Sequence, residues 1–139
     1  MSQENWKKLI INICTVCDTC EDAHLNSYGE SFFAQHKMFE DIADSIHSFP
    51  DAIQEVYFGA REIPFVSSLE IRKNESEKLR PIKNGKDGAR FIKELIIETL
   101  DVVKELDSDE DSTVGEKDLL SQIGGTLQHK LYFLQNFLK

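Results

Sequence analysis

Imidazole and carboxylate side chains recur along one predicted helix at spacings that could bind a metal ion. His36, Glu40 and Asp51 stand at offsets of 0, 4 and 15, and Glu55 follows at offset 19. At ~100° per residue these positions fall within a sector of roughly 100° on one helix. Imidazole and carboxylate ligands together suit divalent iron, zinc or manganese. The alternative is that these polar residues form a solvated helix face. A motif match is by itself only a hypothesis, so both interpretations stay open.

Two further histidines stand near this stripe. His47 lies in the same sector of the helix, and His24 ends the preceding predicted helix, from which it can approach His36. His36 and Asp51 would lie ~22 Å apart along a straight helix, at ~1.5 Å per residue. One chain therefore cannot easily bring both halves of the stripe to one metal ion. A site that uses both halves would need an antiparallel partner helix, and hence a twofold dimer.

Four long amphipathic helices are predicted to carry these residues. Apolar residues recur at helical spacing over residues 6–24, 32–57, 87–106 and 113–138. Ser31 and Asp87 are predicted N-caps of the second and third helices. Thr113 and Glu116 predict a capping box for the fourth. Pro50 falls inside the second helix and predicts a kink there.

The connection between the second and third helices is long. Residues 59–64 indicate a break, 67–71 predict a short helix, and the polar stretch 74–88 predicts a loop. A connection of this length predicts a crossover along a bundle. Gly124 and Gly125, inside the last helix, predict a close contact between helices. No segment alternates with period two for long enough to form a strand, so the sequence predicts an all-α four-helix bundle with a short extra helix between helices two and three.

Length and composition bound the class of protein. The sequence has 139 residues, enough for a single domain over 1–139. Asp and Glu outnumber Lys and Arg by 25 to 16, so the net charge of -9 repels phosphate backbones and attracts cations. Apolar runs such as 95–97 are far shorter than the ~20 residues of a membrane helix, and the N-terminus lacks a signal-peptide pattern. Three cysteines fit a reducing compartment, so we expect a cytoplasmic protein without membrane attachment.

A longer pattern around the histidines resembles the Dps family of mini-ferritins, named for DNA protection during starvation. The segment from His24 to His36 reads His-Leu-Asn-Ser-Tyr-Gly-Glu-Ser-Phe-Phe-Ala-Gln-His. It is similar to the family's signature, in which a His and an Asn, a glycine and an aromatic pair precede a second His. The similarity continues without a gap to the acidic residues at positions 40, 51 and 55. It covers most of residues 20–72 and 87–138.

The resemblance implies a ferritin-like subunit that assembles into a dodecamer, a hollow shell. It implies a ferroxidase centre across each twofold interface, formed by ligands from two subunits. The first subunit would supply His24, His36 and Glu40, and the second would supply Asp51 and Glu55. Fe(II) bound there would be oxidised by hydrogen peroxide or dioxygen, and ferric iron would be stored in the shell, which protects against oxidative damage. The expected cofactor is iron, with zinc as a substitute.

Other positions extend this interpretation. His47 is a candidate for an additional metal ligand. Asp109 and Asp118, in and after the acidic run 107–111, could line a threefold pore by analogy with the family, and a solvated loop is the alternative. We expect no direct DNA binding, because family members that bind DNA usually do so through a Lys-rich tail. An acidic sequence without such a run should not condense DNA unaided.

Cysteines add a second candidate site. Cys14, Cys17 and Cys20 precede His24 in a C-x2-C-x2-C-x3-H pattern. A helix places Cys17, Cys20 and His24 on one face, which would suit a thiolate–imidazole zinc site. The same positions would suit small buried or interface thiols, since buried cysteine often behaves as a small apolar residue. Crosslinking is a third interpretation.

Two other functions fit the same residues. A shell could sequester zinc or iron without fast oxidation if Pro50 distorts the site. A ferritin-like bundle could instead remain a dimeric interaction protein that never closes into a shell. Peroxide-driven oxidation separates the first rival from a ferroxidase, and the number of subunits in solution separates the second.

Overall fold

The chain is all-helical, as the computed structural model of residues 2–139 shows, and no strand occurs in that range. This confirms the predicted all-α class. In the described chain no helix combines the length and the apolar character needed to cross a membrane. The elements in chain order are α1 (Ser2–Leu25), α2 (Phe32–Ile46), α3 (Phe49–Ile53), a π-helical segment (Gln54–Gly59), α4 (Ser68–Lys78), α5 (Gly85–Asp107) and α6 (Val114–Phe137).

The hydrophobic core lies where α1 packs against α5 and α2, and where α5 packs against α6. Trp6, Phe39 and Phe58 are its largest fully buried side chains. Trp6 also stacks on Tyr57, with 4.9 Å between the ring centroids. The aromatic residues therefore join α1 to the π segment, and the periodic apolar faces of α1, α5 and α6 supply the rest of the core.

α1 and α5 run antiparallel and approach closely at one end. At the other end Asn5 donates a hydrogen bond to Glu105 at 3.1 Å. At the close end, a Cβ on Gly88 would lie 2.6 Å from the Cβ of Ala23. Such a separation is too short for two carbon atoms, so only glycine fits at position 88 without a shift of the helices.

Gly124 and Gly125 are not sites of close helix contact. A Cβ on Gly124 would meet Val103 at 3.5 Å, which is an ordinary van der Waals distance. A Cβ on Gly125 would meet nothing within 4 Å. The predicted close contact at this pair is therefore wrong, and the close approach lies at Gly88.

Gly88→Ala should destabilise the protein by ~1–3 kcal/mol, because the added methyl group overpacks the contact between α1 and α5. Gly125→Ala should stabilise it by ~0.5–1 kcal/mol, because alanine has the better helix propensity and the methyl group has space. Both substitutions raise helix propensity. The difference between their effects on the free energy of unfolding therefore measures the steric contact at Gly88. Urea unfolding measures both, and equal effects would contradict the close approach at Gly88.

The arm from α2 to the π segment is interrupted, which corrects the prediction of one kinked helix. α2 ends at Ile46, a turn follows at His47 and Ser48, and α3 begins at Phe49. Pro50 therefore occupies the first turn of α3. The missing N–H of proline loses no helix hydrogen bond there, since the first N–H groups of a helix lack an intrahelical acceptor.

Two of the predicted N-caps also differ. Ser31 precedes α2, but its side chain accepts no capping hydrogen bond. Asn84 caps α5 in place of Asp87: its Oδ1 accepts a hydrogen bond from the Asp87 N–H at 2.9 Å. The Asp87 carboxylate instead accepts hydrogen bonds from the Lys83 N–H and from Arg80. The N-cap of α5 thus lies three residues earlier than the predicted N-cap, Asp87.

α4 extends well beyond the predicted residues 67–71, and the predicted loop begins only at Leu79. Ser67 caps it by accepting a hydrogen bond from the Glu70 N–H at 3.1 Å. The Glu70 carboxylate then pairs with Lys7 of α1 at 2.8 Å. The sequence of this helix is largely polar, and besides the cap and the ion pair it contacts the core through Ile71.

Arg61, which follows the π segment, forms hydrogen bonds with residues at the start of α6 and in the loop before it. Its Nε and Nη2 donate to the Glu116 carboxylate at 2.7 and 2.9 Å, and Nη2 also donates to the Asp111 carbonyl at 3.0 Å. Glu116 completes the predicted capping box with Thr113, which is confirmed. Burial by itself raises the pKa of Glu116, but hydrogen bonds from Arg61 and Thr113 hold that pKa below its ordinary value. The carboxylate therefore remains charged although it is buried.

Candidate metal centre

The turn between α1 and α2 brings two of the predicted metal ligands together. α1 ends at Leu25, and Gly29 takes a left-handed φ of 93°, which glycine adopts without steric cost. α2 then begins at Phe32. His24 in the last turn of α1 lies beside His36 in α2, with 4.0 Å between the ring centroids. A separation of twelve residues in sequence thus becomes a direct contact.

Backbone carbonyl groups orient both imidazoles. The Nδ1 of His24 lies 3.4 Å from the carbonyl oxygen of Glu21. The Nδ1 of His36 lies 3.3 Å from the carbonyl oxygen of His24. A protonated Nδ1 that donates to these oxygens leaves Nε2 with a free lone pair. That tautomer presents Nε2 as a metal ligand on each ring.

Glu40 adds a carboxylate to the two imidazoles. Its Oε2 lies 3.9 Å from the Nε2 of His36, one helical turn away. One ligand atom each from His24, His36 and Glu40 lie within 4.8 Å of one another, and no other group of three His, Cys, Asp or Glu residues among 2–139 meets that limit. Two ligands of one tetrahedral zinc ion lie roughly 3.4 Å apart, since each is ~2.1 Å from the metal. Small side-chain rotations would therefore let this group, the His24–His36–Glu40 centre, bind one ion.

The His24–His36–Glu40 centre is open on one side. His24 and His36 are half-buried, and Glu40 is exposed. Phe32 covers one part of the His36 ring, with 5.2 Å between the ring centroids. Three protein ligands leave coordination positions free on zinc or iron. A substrate, a water molecule or a side chain from another molecule can fill them.

Large apolar side chains are exposed around this centre. Leu25 is the last residue of α1, Tyr28 lies in the turn that follows, and Phe33 lies in the first turn of α2 with 77% of its surface exposed. Exposed apolar side chains that occur together typically mark an interaction surface. The turn between the two histidines is therefore a candidate contact surface as well.

Asp51 and Glu55, the other two predicted ligands, do not join the centre within one chain. Asp51 lies in α3 and Glu55 in the π segment, and both are exposed. Neither belongs to a group of three converging ligand atoms. Their carboxylates face solvent, where a second molecule can reach them.

The three additional predicted positions lie apart from the centre. His47 borders a separate cavity. Asp109 accepts a hydrogen bond from the Asp111 N–H at 3.0 Å, and this bond lowers the pKa of Asp109. Asp118 accepts one from the Gln122 side chain at 3.0 Å. Such local hydrogen bonds are typical of turns and helix starts. Within one chain, both aspartate side chains therefore take part in local backbone or side-chain hydrogen bonds.

All three cysteines are free thiols in α1. Cys20 is fully buried in the core, whereas Cys14 and Cys17 are half-buried and line the same cavity as His47. Cys17, Cys20 and His24 do not form a group of three converging ligand atoms. The His24 ring packs on the His36 ring, and Cys20 lies in the core.

Sequence reasoning did not single out the buried acid Glu75. It lies in α4, within the stretch predicted as a loop, and only 5% of it is exposed. Its chain neighbours Asn74 and Ser76 are polar, so no hydrophobic pattern marks it. The one available signal was Ile71, four residues earlier on the same helix face.

No family model matches the chain, and no curated protein matches its sequence. The main candidate site is the group of two imidazoles and one carboxylate, which leaves coordination positions open. Exposed apolar side chains lie near it in the chain.

Proposed function

We propose that the chain is a Dps-like mini-ferritin that oxidises and stores iron. In this proposal α1, the arm from α2 to the π segment, α5 and α6 form a ferritin-like four-helix bundle, and α4 is the extra helix of the crossover. A dodecamer of the chain would enclose the stored iron. The observation that carries the proposal is the convergence of His24, His36 and Glu40. These are the residues that the resemblance to the Dps family assigns to one half of a ferroxidase centre.

The incomplete ligand set supports a centre shared between two subunits. His24, His36 and Glu40 leave coordination positions free, while Asp51 and Glu55 are exposed and do not reach them within one chain. A second copy related by a twofold axis would bring its own Asp51 and Glu55 to this centre, and would receive the same contribution in return. Such an interface would also cover the apolar side chains of the α1–α2 turn.

The ligands suit a ferrous substrate whose charge rises during the reaction. Two Fe(II) ions each give one electron to hydrogen peroxide, its O–O bond breaks, and the two oxygen atoms take up two protons to leave as water. Carboxylates from Glu40, Asp51 and Glu55 offset the additional positive charge of the ferric product. Because two iron ions supply both electrons, peroxide is consumed without release of hydroxyl radical. This is the protective effect of the proposed function.

A second candidate function is sequestration of zinc or iron without fast oxidation. Two imidazoles and one carboxylate form a donor set that zinc adopts in sites with an open position. The interruption of the arm ahead of Asp51 favours this alternative, because it breaks the straight helix on which the shared site was predicted. Metal retention without peroxide-driven oxidation would identify it.

Peroxide-driven iron oxidation should depend on both halves of the centre. Fe(II) is added to the purified protein without oxygen, hydrogen peroxide is injected, and ferric absorbance is followed. We expect His36→Ala and Asp51→Ala each to slow the reaction at least ~10-fold, because loss of a ligand costs at least as much as loss of a residue that supports one. Asp44→Ala and His129→Ala remove an exposed carboxylate and an exposed imidazole, and should leave the rate unchanged.

Three results would contradict the proposal. A rate no faster than in buffer would exclude a ferroxidase, and retained metal would then support sequestration. An unchanged rate in Asp51→Ala would remove the second subunit's ligands from the centre. Light scattering that gives the mass of a dimer would exclude a closed shell.

A further inference from the structure

A separate cluster of ligand-type side chains lines a cavity between α1, α4 and the turn that joins α2 to α3. The cavity has a volume of about 300 Å³. It is distinct from the His24–His36–Glu40 centre and shares no residue with it. The titratable side chains of its wall are Cys14, Cys17, Asp18, His47, Arg72 and Glu75.

Glu75 holds an unpartnered carboxylate oxygen in this wall. Glu75 is 5% exposed, and its Oε2 has no hydrogen-bond partner. Burial, and then a hydrogen bond with Asp18, raise the pKa of Glu75 to about 8. The Glu75 carboxyl group therefore lies in surroundings that oppose its ionisation. A buried polar atom without a partner calls for an explanation, and beside a cavity a bound cation would provide one.

The two thiols of the wall are poor nucleophiles as they stand. Burial raises the pKa of Cys14 to about 11 and that of Cys17 to about 12, and the nearby carboxyl groups of Asp18 and Glu75 add to both shifts. Because the thiolate is the reactive form, these cysteines should react slowly with peroxide. A metal ion that displaces their protons would convert them into strong ligands.

Acidic groups crowd the cavity, and this arrangement favours a cation. The carboxyl groups of Asp18 and Glu75 oppose the ionisation of both thiols. Arg72 is the cation in the wall, and it favours the charged forms of Cys14 and Glu75. A divalent cation would give the unpartnered Glu75 oxygen a partner. Cys14 and Cys17 are three residues apart, so they share one face of α1 and can reach the same ion.

We propose that this cavity binds a thiophilic divalent cation of the zinc class through the Sγ atoms of Cys14 and Cys17 and the carboxylates of Glu75 and Asp18. Two thiolates with carboxylate oxygen suit tetrahedral zinc better than a centre that cycles iron. No three of these ligand atoms lie within 4.8 Å of one another, so the cation draws the side chains together into the cavity. The displaced protons pass to solvent and the ion stays divalent, so the step needs no oxidant or reductant.

Titration with Co²⁺ tests the site, because thiolate ligation gives cobalt a ligand-to-metal charge-transfer band in the near ultraviolet. The full chain carries His36→Ala, which disables the other centre, and is kept reduced with a phosphine. We expect the band to appear, to saturate at about one Co²⁺ per chain, and to vanish when Zn²⁺ is added. Cys14→Ser combined with Cys17→Ser should abolish it. Glu75→Gln should weaken Co²⁺ binding at least ~10-fold.

Cys20→Ala is the matched control, since Cys20 is the remaining thiol of the chain and lies in the core, so the band should persist. No band in the parent with cobalt in large excess, or an unchanged band in the Cys14→Ser and Cys17→Ser protein, would overturn the proposal. Circular dichroism establishes that each variant is folded. If the double variant does not fold, the Glu75→Gln titration decides, and an unchanged affinity overturns the site. Failure here leaves the proposed iron chemistry untouched, because the titration is made without His36.

Discussion

Co-expression of His36→Ala subunits with Asp51→Ala subunits should restore iron oxidation that neither variant supports alone. In the proposed twofold interface each dimer holds two centres, and each centre takes His36 from one subunit and Asp51 from the other. A mixed dimer therefore holds one centre with both residues and one with neither. Random pairing of equal amounts makes about half of the dimers mixed, so about a quarter of all centres are intact. The peroxide-driven rate, followed by ferric absorbance, should reach about a quarter of the unsubstituted protein's rate.

Two variants from the same half of the centre provide the control. His24 and His36 lie side by side in one chain, with ring centroids 4.0 Å apart. Every centre in a mixture of His24→Ala and His36→Ala subunits therefore lacks one of the two, and the mixture should remain inactive. Mass spectrometry verifies that mixed assemblies form. Recovery in this control, or no recovery when His36→Ala is mixed with Asp51→Ala, would count against a centre built from two subunits.

Arg61→Met should lower the free energy of unfolding by about 3 kcal/mol. The Glu116 side chain is 1% exposed, and Arg61 pairs with it at 2.7 Å. Removal of one partner leaves an uncompensated buried charge, which costs ~3–5 kcal/mol, and the partial exposure of Arg61 places the effect at the lower end. Urea denaturation measures the loss. Lys37→Ala breaks an exposed pair with Asp41, and should change stability by less than ~0.5 kcal/mol.

Acidic pH should remove the stabilisation that the pair of Arg61 and Glu116 provides. The pKa of Glu116 lies below its ordinary value of 4.5 in the folded chain, so near that pH the unfolded chain binds more protons at this position. The stabilisation is therefore fully present above about pH 4.5, and is lost as the pH falls through the lower folded pKa. Arg61→Met should weaken or reverse this dependence. Equal losses from Arg61→Met and Lys37→Ala at neutral pH would contradict a buried charge pair.

Local signals in the sequence were sufficient for the long helices. The apolar periodicity of α1, α5 and α6 and the capping box of Thr113 and Glu116 both arise within a few residues, so no knowledge of the tertiary structure was needed. The meeting of His24 and His36 was foreseeable for a related reason. One histidine ends a helix, the other lies near the start of the next, and Gly29 permits the tight turn between them.

Features that depend on packing were not foreseeable in the same way. α4 has a polar sequence, and its length beyond residue 71 accompanies its packing against α1, which buries Glu75. Pro50 permits either a kink in one helix or the first turn of a new one, and the sequence pattern does not distinguish the two.

The N-cap of α5 could not be predicted from local sequence alone. Asn84 and Asp87 are both short side chains that can accept a hydrogen bond from a backbone N–H, and they stand three residues apart. A cap at Asn84 places Gly85 inside the helix, where glycine is a poor helix former, whereas a cap at Asp87 leaves Gly85 outside it. The close approach of Gly88 to Ala23 explains why a glycine stands inside the helix.

The π segment gives the arm a tolerance for insertions and deletions. Its wide turn, in which the Ala60 N–H donates to the Glu55 carbonyl at 3.1 Å, accommodates one residue more than an α-helical turn. Loss of one residue after Glu55 would let this turn close as ordinary α-helix, and would leave Asp51 and Glu55 where they are. The same loss within α5 would rotate every later core residue by ~100° about the helix axis. Differences in length among natural variants should therefore accumulate at this turn rather than in the long helices.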